Sequence, residues 1–338
     1  METASILIPC YNDEEYVGAA IESALNQTWP ECEIIVVDDG STDESRSVAW
    51  HYQSEGVQVI PQENQGAPAA RNRAFRASTG GYIQYLDADD LLHPRKIEAQ
   101  ISALQSCPER TVAVCSTVYF QDGSSPKEGG WAKGVDQIPW LTSEDPVQWL
   151  INLWTPGTGW GMVQTGAWLV PRPVAEEAGS WDERITRDQD GEYFTRVVLS
   201  GDAVHYVSNG CVYYRQYAET ARRVSKRVTK SGFEGWLRAI DSKRDHVMPQ
   251  VSKEDHDRAA RGLARQYWSL ALSAYPTYPE IAETAESRAA GLGFPQCLRS
   301  VSQNGWKGGV ARTLTTTLGW RAARWCQTQY HRVREMLS

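Results

Sequence analysis

The sequence predicts an α/β protein, a mostly parallel sheet with helices on both faces, followed by a helical C-terminal region. Three observations carry this. Through about residue 120, short β-rich runs alternate with stretches whose apolar residues recur at helical spacing. Several of those runs end in clusters of Asp and Asn, the edge where open parallel sheets collect ligands. Beyond about Thr220 strand signals stop and helical patterns take over. At 338 residues, 41% hydrophobic and 22% charged, the chain has a globular composition and room for one large domain or two modest ones.

In chain order, Ser5 to Cys10 is an apolar strand, and Glu15 to Asn26 carries Val17, Ala20, Ile21, Ala24 and Leu25 at helical spacing. Glu33 to Val37 is a second strand. Gly40-Ser41-Thr42-Asp43 follows, where Ser or Thr can cap a helix running to about Ser54. Val57 to Ile60 is a strand, Ala67 to Ala77 a helix, and Tyr82 to Leu86 a strand. A helix starts at Pro94, a favoured first position, and Thr111 to Phe120 is a fifth strand. From Gln121 to Gly166 the periodicity fades into Gly, Pro and Trp, the pattern of a functional insertion. Regular signals return with a strand at Ala167 to Val170, a short helix from Pro173 and a helix from about Asp190 to Ser200. Separate strands are expected at Val204 to Val207 and Val212 to Tyr214.

The formal charge of −8 argues against a nucleic-acid binder, since phosphate backbones recruit basic surfaces. Seven cysteines without a C-x-x-C pair argue against a disulfide framework or a structural zinc site. The six histidines lack paired metal-ligand spacing and read as structural; His205 and the Arg222-Arg223 loop are outside candidates for closing over a ligand. No apolar run approaches the roughly 20 residues that span a bilayer. Strand-like sequence from Ser5 leaves no room for a secretory leader, so the expected location is cytoplasmic.

Asp38, Asp39, Asp87, Asp89 and Asp90 fall at the ends of the second and fourth strands. Clustered carboxylates repel unless a cation neutralises them, and hard oxygen ligands suit Mg²⁺ or Mn²⁺ shared with substrate phosphates. Asp43 reads instead as a helix-capping residue.

Four motifs in this order carry a resemblance: Pro9-x-Tyr11-Asn12, Asp38-Asp39-Gly40-Ser41-Thr42-Asp43, Asn64-x-Gly66 with Ala70-Arg71-Asn72, and Asp87-Ala88-Asp89-Asp90, the last containing a D-x-D. Together they resemble the family 2 glycosyltransferases, nucleotide-sugar enzymes of the GT-A fold. The likeness covers about residues 3 to 215. It implies a GT-A domain over residues 1–220, with a nucleotide-sugar half at 1–120 and an acceptor half at 121–220, before a helical region at 221–338.

The resemblance places Pro9 and Tyr11 beside the nucleotide base, Asp39 on a base nitrogen, Asp87 on the ribose and Asp89 on a divalent metal, Mn²⁺ or Mg²⁺. Arg71 either balances the diphosphate or buttresses the Asp38 loop. Gly66 reads as a backbone requirement. A glycine-aromatic-aspartate lead-in, Gly179-Ser180-Trp181-Asp182, precedes Arg187-Asp188-Gln189-Asp190, where the family usually has Glu-Asp. Asp190 fits the catalytic base, with Asp188 the alternative; both could instead cap a helix, and Glu192 pairs with Arg196 one turn on. The implied reaction is inverting, hexosyltransferase-like transfer from a nucleoside diphosphate sugar, a UDP sugar by preference, to a hydroxyl of a glycan or lipid-linked glycan, as in polysaccharide biosynthesis. A sugar-phosphate nucleotidyltransferase and a non-catalytic sugar-nucleotide binder are the alternatives.

Aromatic faces pack against sugar C–H faces, so Trp154, Trp160 and Trp168 are candidate acceptor-site residues, with core packing the other reading. The basic C-terminal stretch holds Trp306, Trp320 and Trp325. It suits peripheral contact with the inner face of a membrane, docking on the protein itself, or a second copy of the chain.

Overall fold

A strand with no exposed face must lie inside a covered sheet, and all seven residues of β1 (Ala4–Cys10) are buried. A computed structural model of the chain describes residues 2–126, 130–131, 142–155, 163–217, 229–296 and 320–321. The chain divides into two units, residues 1–153 with 157–227, and 154–156 with 228–338.

In the first unit β1 lies between β2 (Cys32–Asp39) and β4 (Tyr82–Tyr85), with β3 (Gln58–Gln62) outside β2, all parallel. The register pairs Cys10 with Asp38 and Asp39 with Gln62, so the polar strand ends fall on one edge. The intervening helices are α1 (Val17–Leu25), α2 (Ser45–His51) and α3 (Ala67–Ala77). The remaining strands are β5 (Leu91–Leu92), β6 (Thr111–Gln121), β7 (Gly130–Trp131), β8 (Trp168–Pro171) and β9 (Ala203–Gln216). They extend the sheet to the order β3-β2-β1-β4-β8-β6-β9-β5, with β7 on β6. Each antiparallel pairing is two residue pairs long, so the sheet is mostly parallel. The helices here are α4 (Lys96–Leu104), α5 (Pro146–Trp154), α6 (Arg172–Ala178) and α7 (Gln189–Ser200).

Several local expectations are corrected. The helix expected after Thr42 begins at Ser45 and gives way to a 3-10 turn at Tyr52–Glu55. Ser41 and Thr42 bond to Asn12 rather than capping it. The capping expected of Asp43 is not made either: the N-cap is Glu44, without a side-chain cap bond, and Asp43, one residue earlier, accepts from the Ser45 amide through Oδ1 at 3.0 Å in the turn that leads into the helix. The helix after Pro94 starts at Lys96. The two strands expected at 204–214 are one, because β9 keeps pairing with β6 across a register shift that passes over residues 208–210. Gly210 is required there: a Cβ would lie 2.9 Å from the Lys96 Cα.

The second unit contains α8 (Lys230–Val247), α9 (His256–Ala274) and α10 (Pro279–Gly291) around Phe233, Ile240, Leu263, Tyr267, Trp268 and Ile281. Thr229 caps α8 through the Gly232 amide at 3.1 Å. No described helix is long and apolar enough to cross a membrane. Of the basic C-terminal stretch only residues 320–321 are described. Trp320 is 9% exposed and packs edge-on against Trp268 and Tyr275, and Arg321 pairs with Glu286 at 2.6 Å. That indole is therefore docked on its own unit rather than presented to lipid; Trp306 and Trp325 lie outside the described residues.

Candidate active site

The strand ends are tied together by their own polar groups. Asn12 adopts φ 55°, a left-handed conformation Asn tolerates, which turns its side chain onto the next loop. Its Oδ1 accepts from the Thr42 amide at 2.8 Å, and its own amide donates to Ser41 Oγ at 3.1 Å. Gly40, at φ 75°, is the other hinge of this contact, since a Cβ there would lie 2.7 Å from the Asn64 amide nitrogen. Pro9 is buried within β1, whereas Tyr11 is 44% exposed and offers a ring at the mouth of the edge.

Asp39, 2% exposed, organises the third loop. Its Oδ1 accepts from Gln62 Nε2 at 2.7 Å and the Gln65 amide at 2.9 Å, and Oδ2 from the Gly66 amide at 2.7 Å. Oδ2 keeps acceptor capacity for one further donor. Gly66 stands at φ 92° before α3, the backbone role expected of it.

The D-x-D segment is clamped by the end of β9. The Arg215 amide donates to Asp90 Oδ1 at 2.9 Å, and its Nε donates to the Asp89 carbonyl at 2.9 Å. That guanidinium lies between the rings of Tyr16 and Phe120, 4.6 and 4.7 Å from their centroids. Tyr217 donates to Asp89 Oδ2 at 2.7 Å. Burial, and then the neighbouring Asp87, raises the Asp89 carboxyl; burial with Asp89 and Asp87 raises Asp90 well above the ordinary range.

Asp13 was not singled out in the sequence. Burial and then the charges of Asp89, Asp43 and Asp87 push its carboxyl up to about 7 despite a backbone bond from Tyr11. It follows directly on the Tyr11-Asn12 motif, but nothing in its spacing announces that the loop folds back over the other acids.

Among the described residues no group of three His, Cys, Asp or Glu side chains suits a metal ion. Mg²⁺ and Mn²⁺ at phosphate-transfer sites need only one or two carboxylates, the rest being water and substrate oxygen. Asp87 and Asp89 fit that donor set: burial first and then the Asp87 charge raise the Asp89 carboxyl, and a cation would relieve the second of these.

Arg71 is corrected in one respect. The arginine beside Asp38 is Arg46, at 3.6 Å. Arg71 reaches instead to Asp87 Oδ1 at 2.7 Å through Nη2 and to Gln189 Oε1 at 2.9 Å through Nη1. Its neighbour Asn72 holds the glycine-aromatic lead-in, accepting from the Trp181 amide at 2.8 Å and donating to the Trp181 carbonyl at 3.0 Å. Trp181 stacks on Tyr193 of α7 with centroids 4.0 Å apart. The sequence marked Asn72 as part of a motif without a role; its partners lie over a hundred residues away in the chain.

Asp190 lies in the first turn of α7 and Asp188 precedes the helix at φ 62°, making no side-chain capping bond. The capping alternative for Asp188 therefore fails. Glu192 and Arg196 form the expected ion pair at 2.7 Å, and Arg196 also donates to the carbonyls of Ala178 and Ser180.

The aromatic candidates fare differently. Trp168 is 2% exposed, stacked on Phe194 and edge-on to Trp149, so neither ring face is open to a sugar. Trp154 belongs to the second unit and packs on its core. Trp160 and the Arg222-Arg223 loop lie outside the described residues. His205 sits ten residues before Arg215 on β9, remote from the acidic edge.

Comparison with known proteins bears on the family and the fold. Residues 5–162 match the family model "Glycosyl transferase family 2". The uncharacterized glycosyltransferase RP339 of Rickettsia prowazekii is 41% identical over 110 residues, 32% of this chain and 34% of the relative. The uncharacterized glycosyltransferase alr2836 of a Nostoc species is 32% identical over 184 residues, 45% of this chain and 56% of the relative. The chain thus spans between about a third and just over half of these relatives. Among solved structures, S. aureus TarS 1-349 in complex with UDP-GlcNAc superposes with a TM-score of 0.59 at 14% identity, covering 86% of this chain and 92% of that one. The mannosyltransferase PcManGT from Pyrobaculum calidifontis, in complex with GDP-Man and Mn²⁺, superposes at 0.56 with 14% identity, covering 98% and 88%. These likenesses establish a shared fold.

Proposed function

We propose that this chain, which belongs to the family 2 glycosyltransferases through residues 5–162, moves a sugar with inversion from a nucleoside diphosphate donor, a uridine one, to a hydroxyl of a glycan or glycolipid. The observation that carries the reading is a tie between distant parts of the chain: Arg71 bonds both to Asp87, just beyond β4, and to Gln189 in the first turn of α7, the residue before Asp190.

Tyr11 offers its exposed ring to the base, and Asp39 the remaining acceptor capacity of Oδ2 to a base N–H. Asp87 faces the ribose. Asp89, with Asp87 beside it, would hold Mn²⁺ or Mg²⁺, which neutralises charge developing on the departing diphosphate when bound. Asp190 takes the proton from the attacking hydroxyl, a role worth typically 10²- to 10⁴-fold. A single base opposite the leaving group gives one displacement and inversion, unlike the paired carboxylates of retaining glycosidases.

The test is a thermal-shift screen of UDP, GDP and TDP and their sugars with and without Mn²⁺, since a ligand that binds only the folded chain raises its apparent stability. A metal-dependent rise with uridine nucleotides is expected. A response to guanosine nucleotides alone would overturn the uridine assignment, and no response to any nucleotide would overturn the donor class.

A further inference from the structure

We propose that Gln189 is a positioning residue: through Arg71 it couples occupancy of the nucleotide site at Asp87 to the order of the helix turn that carries Asp190. The inference rests on the reading of Asp87 and Asp190 above and adds to it a link between them.

Arg71 is 5% exposed and held on three sides. Nη2 donates to Asp87 Oδ1 at 2.7 Å, Nη1 donates to Gln189 Oε1 at 2.9 Å, and the guanidinium lies 4.5 Å over the Trp181 ring. A guanidinium is a rigid planar fork, so its two amines cannot follow their acceptors independently. A displacement of Asp87 must move Gln189 or break one of the two bonds. Trp181, the plate beneath Arg71, is itself stacked on Tyr193 one turn into α7, so the same arginine bears on that helix at two points. Nε, the third donor site, is buried without a partner, which leaves the orientation of the fork to these contacts.

The first turn of α7 depends on such a tether. Asp188 enters the helix at φ 62°, a left-handed conformation that a residue other than glycine holds where its surroundings impose it. Gln189 is the next residue, and Asp190 the one after. A neutral amide at 189 has a physical purpose: it accepts from Arg71 without competing as a charge, so the cation stays assigned to Asp87. A carboxylate there would draw Arg71 away from Asp87 and set another negative charge beside Asp190.

Coupling between two sites is reciprocal in free energy, so nucleotide bound at Asp87 should quiet the α7 turn, and the effect should pass through residue 189. Hydrogen–deuterium exchange on the full chain, with and without UDP and Mn²⁺ and in parallel with GDP and Mn²⁺, reads this directly. Nucleotide is expected to slow exchange across residues 188–192 by about fivefold in the native protein, within the usual range of such couplings. Gln189→Ala should lose that slowing and, by the same reciprocity, lower nucleotide affinity by no more than about fivefold in calorimetry. Gln189→Glu, whose charge would draw Arg71 away from Asp87, should not recover it. The positioning role is overturned if Gln189→Ala still shows the slowing, if its nucleotide affinity falls by much more than about fivefold, or if the native protein binds nucleotide with no change at 188–192. Failure of both nucleotides to bind would remove the donor reading itself, together with the link built on it.

Discussion

The phenol of Tyr217 donates to Asp89 Oδ2 at 2.7 Å, so the residue next after β9 fixes the rotamer of the D-x-D carboxylate. Removing a hydrogen bond to a charged acceptor costs about 1.5–3 kcal/mol, on the order of tenfold or more in an equilibrium that needs the ionised acid. Tyr217→Phe should weaken Mn²⁺ binding in the presence of UDP by about tenfold, and Asp89→Ala should abolish it. Titration of free Mn²⁺ by electron paramagnetic resonance checks both. Unchanged affinity in Asp89→Ala would remove that residue from the metal site.

For Asp190, the base is needed only when the acceptor attacks. Asp190→Asn should keep nucleotide affinity while lowering the rate of UDP release, to acceptor or to water, by at least roughly a hundredfold. Asp188→Asn should do much less. The reverse pattern would place the base two residues earlier.

Lys96 gives a stability prediction with a definite pH window. It is fully buried, donates to Gln84 Oε1, Gln100 Oε1 and the Trp168 carbonyl, and is lowered by burial from 10.5 to about 8. Between about 8 and 10.5 the unfolded chain binds more protons at this residue than the folded one, so its contribution to stability rises with pH there. Lys96→Met removes that slope, at most about 1.4 kcal/mol per pH unit, and leaves three acceptors without their donor. Urea unfolding of both proteins from pH 7.5 to 10 should show native stability improving relative to the variant as pH rises. Parallel curves would show that Lys96 does not titrate in this window.

In the second unit, Trp320→Ala removes a docked indole from against Trp268 and Tyr275. Large-to-small changes at buried Trp cost about 3–5 kcal/mol, so the variant should unfold at markedly lower urea. Retained stability with reduced sedimentation on anionic vesicles would assign that tryptophan to a membrane surface instead.

The sequence by itself determined the order of strands and helices, the parallel core and the acidic edge, because each rests on local signals. Alternation of apolar runs dictates crossovers, and Asp38-Asp39 and Asp87-x-Asp89 sit next to the strands that present them. It also singled out Asp190, through a motif whose residues are neighbours in the chain. Tertiary structure decided what no window of sequence contains. Arg71 and Gln189 are 118 positions apart, and Asp89 and Tyr217 are 128 apart, so their pairing depends on β9 returning alongside β6 and on the start of α7 coming within reach of Arg71 on α3. Trp168 shows the same limit from the other side. A tryptophan reads alike whether it lines a pocket or fills a core, and only the packing of Phe194 and Trp149 against its ring made it core. Short-range chemistry is written in adjacent residues, whereas burial and long-range hydrogen bonds are properties of the closed chain, which decide which donors and faces remain for a ligand.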